Sequence, residues 1–198
     1  MNNLIFTWTS FSSWETLDWI AQAFGLLAVI SYVISYLQKD SQKTLYFQLS
    51  GSIFWCLNFL FLGAVAGLVL NIIGTLRVIV YLFRKKYAWA RHYVWYIVFI
   101  TLFVLGGILS MFLTEDPTLK WTAILPICAF ILTTIQLSLT STFKIRLFVL
   151  LSTPFWIAYD IIFQNIAGLL NDSISIVSAI VGIIVIDIIQ KRKMMKQN

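Results

Sequence analysis

An all-α membrane protein of seven transmembrane helices, arranged 3+1+3 as two parallel three-helix repeats about one linking helix, is the fold this sequence predicts. Three observations lead there. The chain is 60% hydrophobic and only 11% charged, with a mean hydropathy of +0.89, whereas a soluble domain keeps about a quarter of its residues charged. Its basic residues gather in alternate connections between apolar runs. Its early and late thirds repeat one another at a fixed offset.

A spanning helix needs about 20 apolar residues, and seven such stretches fit within the 198 residues. Residues 1–18, MNNLIFTWTSFSSWETLD, contain no Lys or Arg and no continuous apolar core. They are therefore not a secretory signal, and Trp8 and Trp14 among Ser and Thr suit an external interfacial lead-in. The first helix is expected over 19–38, before Lys39 and Lys43, and the second over 45–62. The third, 66–83, stops at Arg84, Lys85 and Lys86, with Arg91 in the same connection. The fourth, 93–113, ends before Glu115, Asp116 and Lys120, and the fifth, 121–139, before Lys144 and Arg146. The sixth and seventh occupy 146–163 and 168–189, and a basic tail, 191–198, carries Lys191, Arg192, Lys193 and Lys196.

Twelve of the fourteen Lys and Arg thus fall on one side, which the positive-inside rule makes cytoplasmic. The N-terminus is expected outside and the C-terminus inside, which requires an odd number of spans. The net charge of +6 reflects this asymmetry, so no nucleic acid is expected as a partner; the lipid bilayer is. Cys56 and Cys128 both fall within spans, where they pack as small apolar residues.

The repeat is explicit in two stretches. FWCLNFLFLGAVAGLVLN runs from Phe54 to Asn71, and FWIAYDIIFQNIAGLLND from Phe155 to Asp172, 101 positions later. At the same offset Ala28 meets Ala129, Lys43 meets Lys144, Phe47 meets Phe148, and Trp55 meets Trp156. The organisation that follows is repeat 1 over 19–86, a linker with the fourth helix over 87–119, and repeat 2 over 120–190. One crossing separates the repeats, so both enter from outside and are parallel. In transporters built from parallel repeats the solute site lies between them, near the midplane.

Candidate site residues are the polar and aromatic groups that interrupt the spans. Six of the eight Trp sit at expected interfaces, where aromatic belts belong. Trp55 and Trp156 do not. Asn58 lies three residues beyond Trp55 and Asp160 four beyond Trp156, so each polar group shares a helix face with an aromatic plane. That pairing suits a flat or sugar-like solute; the alternative is two large residues packing between repeats. Gly67, Asn71 and Gly74 follow one face of the third helix, either at a solute path or at an interhelical hydrogen bond. Arg77 is the basic residue well inside a span, seven residues and about 10 Å from Arg84. It either pairs within the bundle, with Asp160 or Asp172, or snorkels to the cytoplasmic face. Asp187 and Lys191 read as an i, i+4 surface pair.

Enzyme chemistry finds little support. His92 is the single histidine, so neither a histidine-based zinc site nor a Ser-His-Asp set can be assembled. The last helix has no Lys for a retinal Schiff base, and Tyr159-Asp160 lacks the Gly-x-Gly-Asp signature of intramembrane aspartyl proteases. No cofactor and no metal are expected.

WIAQAFGLLAV (Trp19 to Val29), Gln48, FLG (Phe61 to Gly63) and the Asn71-then-Arg77 third helix resemble the YgjV family of bacterial inner-membrane proteins. The resemblance covers 19–86 well and the second half loosely. That family is similar in plan to the PQ-loop, SWEET and PnuC transporters, which implies seven helices, a central solute path and a multi-pass place in the bacterial inner membrane. In SWEET-like proteins an Asn of the third helix and one of the seventh face the substrate; Asn71 matches the first, with Asn171 or Asp172 at the second. Pro126 and Pro154 supply half of the SWEET proline tetrad, Gly25 and Ile53 stand at the mates, and there is no Pro-Gln pair.

Transport of a small polar organic solute by alternating access is the function these features favour; an accessory solute-binding subunit or a scaffold is the rival, and a homo-oligomer is compatible with both. Asn71 and Asp172 are expected to face one another across the path, each about 6 Å below the outer end of its helix. Asn against Asp places negative charge on one side, with Arg77 deeper, which favours a cationic or zwitterionic group on the solute.

Overall fold

The computed structural model describes residues 14–37, 41–136, 139 and 142–184. Seven α-helices run in the order α1 (Thr16–Leu37), α2 (Ser41–Phe61), α3 (Val65–Leu82), α4 (Val94–Leu113), α5 (Ile124–Gln136), α6 (Thr142–Ile162) and α7 (Ile166–Gly182). A 3₁₀ segment, Pro117–Ala123, leads into α5. By length and composition, five of the described helical stretches can cross a membrane: those of α1, α3, α4, the 3₁₀ segment with α5, and α6. The other two carry shorter apolar runs, Leu45–Phe61 and Ile166–Gly182. Most of the N-terminal lead-in, the end of the seventh span with Asp187, and the basic tail lie outside the described residues.

Several helices begin before their apolar runs. The sixth starts at Thr142 rather than 146, which brings Lys144 inside it and moves Arg146 from its first residue into its second turn. There Arg146 Nη1 donates to the carbonyl of Gly182, at the end of α7, over 3.2 Å. A helix end leaves carbonyls without intrahelical donors, and a basic side chain from the neighbouring helix satisfies one. Gln42 near the start of α2 does the same for Leu82 of α3, over 3.5 Å. The fifth span starts at Pro117 rather than 121, because Asp116 caps the 3₁₀ segment through a 2.8 Å bond from the Thr118 N–H. Proline is at home in that first position. Pro126 stands in the first turn of α5 and Pro154 inside α6, where it removes one ladder bond.

The turn joining α2 to α3 recurs between α6 and α7. Ala64 N–H donates to Phe59 O (3.0 Å) and Gly63 N–H to Leu60 O (3.2 Å); 101 positions on, Asn165 N–H donates to Asp160 O (2.8 Å) and Gln164 N–H to Ile161 O (3.3 Å). This is a Schellman stop, which needs a left-handed residue at its pivot. The pivots are Gly63, with φ +65°, and Gln164, with φ +50°. Glycine adopts that conformation freely and glutamine does not.

Consecutive helices pack together, α1 on α2 on α3 and α5 on α6 on α7, while α4 bridges α3 to α5. Contacts of α1 with α7 and of α3 with α5 close the bundle. Small residues lie at the crossings: Ala21, Ala28, Ala66, Ala129 and Ala167 are all buried. Close backbone approach of this kind is how helices associate where lipid removes the hydrophobic drive. The outward faces are apolar, with Phe112, Ile97 and Val177 well exposed, as a bilayer requires.

Candidate functional site

Six helices line a half-open cavity of about 180 Å³, and α4 contributes nothing to its lining. Its wall is aromatic. Trp55 and Phe59 of α2 stack at 6.0 Å between centroids, Phe59 stacks on Trp156 of α6 at 6.3 Å, and Trp156 meets Phe130 of α5 edge-on at 5.1 Å. Its polar groups come from five helices: Tyr32 from α1, Asn71 and Arg77 from α3, Thr133 from α5, Asp160 from α6, and Asn171 and Asp172 from α7.

Seven of the eight residues expected from sequence therefore line one space: Trp55, Asn71, Arg77, Trp156, Asp160, Asn171 and Asp172. Trp55 and Trp156 face this space rather than lipid. Asn71 donates through Nδ2 to the carbonyl of Gly67, one turn earlier, over 2.9 Å. Asn171 Nδ2 reaches Asp172 Oδ1 over 3.4 Å, whereas Asp172 Oδ2 is buried with no hydrogen-bond partner.

Arg77 does not pair with Asp160 or Asp172. Its Nη1 donates to Thr134 Oγ1 over 2.6 Å, and its guanidinium carbon lies 5.3 Å from the Phe103 ring centre and 5.7 Å from that of Phe130. Arg77 follows Asn71 by six residues, about 9 Å along α3, and meets Thr134 of α5 there. The threonine hydroxyl accepts from Arg77 while donating to Phe130 O over 2.7 Å, and the ring faces attract the cation. Arg77 Nε is left buried without a partner.

Asn58 is not on the cavity. It is fully buried, donates to Ala21 O over 2.8 Å, and exchanges amide bonds of 3.0 and 3.2 Å with Asn165. Asn165, which sequence reasoning placed in a connection, caps α7 through Gly168 N–H over 3.2 Å and donates to Asp160 Oδ1 over 3.0 Å. Gln22 completes this knot: its Nε2 donates to Gln164 O over 3.1 Å and its Oε1 accepts from Ala167 N–H over 3.0 Å. Gln22 and Gln164 also line a depression of about 290 Å³ beside Trp14 and Asp18. The knot thus stands between that depression and the cavity, with Asp160 on its inner side. Gly168 is essential to it, since a Cβ there would meet the Asp160 carboxyl oxygen.

The two halves close their turns differently. Gly67 N–H near the start of α3 donates to the Tyr159 hydroxyl of α6 over 2.6 Å, whereas the equivalent Gly168 uses Asn165. Three polar residues without a like counterpart 101 positions away bond one half to the other: Asn58 (counterpart Tyr159) with Asn165 (counterpart Ala64), and Tyr159 with Gly67; Asp160 (counterpart Phe59) bonds Asn165 within its own half. That mismatch is the sequence signal that could have found Asn165 and Tyr159.

Seven helices with apolar outer faces around a small polar cavity define a polytopic integral membrane protein. The chain belongs to the YgjV family, described as bacterial inner membrane protein (Imp-YgjV), whose model matches residues 19–188. The match extends across both halves, beyond the residues 19–86 that carry the resemblance most strongly. No curated protein and no solved structure matches the chain.

Proposed function

We propose that this inner-membrane protein carries a small polar organic solute by alternating access between two parallel three-helix halves, α1–α3 and α5–α7 with its 3₁₀ lead-in, and that it is not an enzyme. The observation that carries the proposal is the cavity itself: it draws polar groups from both halves, excludes the linking helix, and is lined by Arg77 and Asp172, each with a buried polar atom that has no protein partner. A buried polar group without a hydrogen bond costs about 1–3 kcal/mol, so a solute that supplies the missing bond has a ready source of affinity. Matching helix bounds and matching Schellman turns at an offset of 101 support treating the halves as equivalent units.

On this reading the N-terminus faces outward, and the Gln22–Asn58–Asn165–Asp160 knot closes the outer end. Opening it exchanges these bonds for bonds to water in the neighbouring depression. Solute at Asp160 touches the inner edge of the same knot, so occupancy and gating are coupled. A second reading, a solute-binding accessory subunit, is favoured by one observation: Asn58 and Asn165 pair in a dry contact rather than facing the cavity. Uptake by proteoliposomes separates the two. Asn71→Leu and Asp172→Asn should each lower uptake at least several-fold once corrected for folded amount. If both retain wild-type uptake, the cavity is not the path; binding without uptake favours the accessory subunit.

A further inference from the structure

We infer that the solute of this cavity is a small zwitterion, held with its carboxylate toward Arg77 and its ammonium group toward Asp172. The inference rests on the cavity being a solute site, as proposed above, and narrows what that solute is. Two charged side chains of opposite sign face one space without neutralising each other. Arg77 is about nine-tenths buried and keeps a free Nε; Asp172 is 5% exposed and keeps a free Oδ2. They stand on different helices, α3 and α7, and each bonds a neutral neighbour, Arg77 to Thr134 and Asp172 to Asn171, so neither relieves the other. Asp160, the second acidic side chain on the wall, is already engaged by Asn165 through Oδ1.

The chemistry of the alternatives is instructive. An anion would meet Arg77 but face Asp172, and a cation would meet Asp172 but face a guanidinium. A neutral polyol would leave both charges buried in low dielectric, where an uncompensated ion is strongly unfavourable. A zwitterion satisfies both poles at once, and its apolar stem lies along Trp55, Phe59 and Trp156. Ring faces also attract an ammonium group. The volume fits: a cavity of about 150 Å³ takes benzene, so about 180 Å³ suits a solute of amino-acid size and excludes a disaccharide.

The test is thermal unfolding of the purified full chain with defined probes: L-alanine, 4-aminobutyrate and 5-aminopentanoate as zwitterions, with pentanoate, pentylammonium and the neutral 5-hydroxypentanamide as controls. A ligand that binds only the folded state raises its melting temperature. At least one zwitterion should stabilise at a concentration tenfold or more below any control. Asp172→Asn, which preserves shape, should weaken zwitterion binding about tenfold or more while leaving pentanoate unchanged; Arg77→Gln should weaken both zwitterion and pentanoate. The inference is overturned if no zwitterion stabilises, if a control does as well, or if Asp172→Asn leaves zwitterion binding intact. Flux assays keep it separate from the transport proposal: zwitterion binding without flux sinks transport alone, and flux confined to a neutral or singly charged solute sinks the zwitterion alone.

Discussion

Gln164 holds a left-handed backbone, φ +50°, where its counterpart 101 positions earlier is Gly63. A residue with a Cβ loses roughly 1–2 kcal/mol in that conformation. Gln164→Gly should therefore raise stability by about 1 kcal/mol, read by thermal unfolding in detergent; a drop would mean that the glutamine side chain contributes more at the outer depression than its backbone loses. The same residue scale explains what could be read in advance. Asn71, Arg77, Asp160 and Asp172 stand out because a polar group inside an apolar run has few reasons to be there. Their convergence on one cavity follows from helical spacing plus the repeat. Asn58 was misplaced because three residues are about 60° apart around a helix, enough to put Trp55 on the cavity and Asn58 against Asn165 and Ala21. Arg77 pairs with neither aspartate because its guanidinium finds a neutral partner, Thr134, one turn beyond Phe130 on α5, and the search for opposite charges passes over a hydroxyl.

Helix existence was legible from hydropathy; helix starts were not. An apolar run ends where lipid contact ends, but hydrogen bonding continues as long as polar side chains find work, as Arg146 does at the end of α7. The knot that joins α1, α2, α6 and α7 was illegible for a related reason, because Asn165 sits at a helix start that the hydropathy assigned to a connection. Its amides bond reciprocally with Asn58, which predicts strong coupling. Asn58→Ala and Asn165→Ala should each destabilise by about 1–3 kcal/mol, since each leaves the other amide buried and unsatisfied. The double variant should then lose less than the sum, with an interaction of at least about 0.5 kcal/mol. Additivity within about 0.3 kcal/mol would show that the two side chains act independently and that no closed knot exists.

For the whole molecule, orientation rests on charge alone. Reporters fused after residue 86, after residue 144 or at the C-terminus should read cytoplasmic, and those near 65, 117 or 166 external. A C-terminus outside would contradict both the orientation and the parallel relation of the halves. The recurrent turns were foreshadowed by the two quoted stretches, because repeated sequence at one offset makes repeated turns, and membership across 19–188 by the resemblance carried by Trp19–Val29, Gln48, Phe61–Gly63, Asn71 and Arg77. The central claim, that the cavity opens to each side in turn, is tested most directly by thiol accessibility. Asn71→Cys is placed in a chain with Cys56→Ala and Cys128→Ala, and a membrane-impermeant thiol reagent is applied to right-side-out or inside-out vesicles. Alternating access predicts labelling from both faces, slowed from both by a bound solute. Labelling from neither face, or from only one whatever the solute, would contradict it.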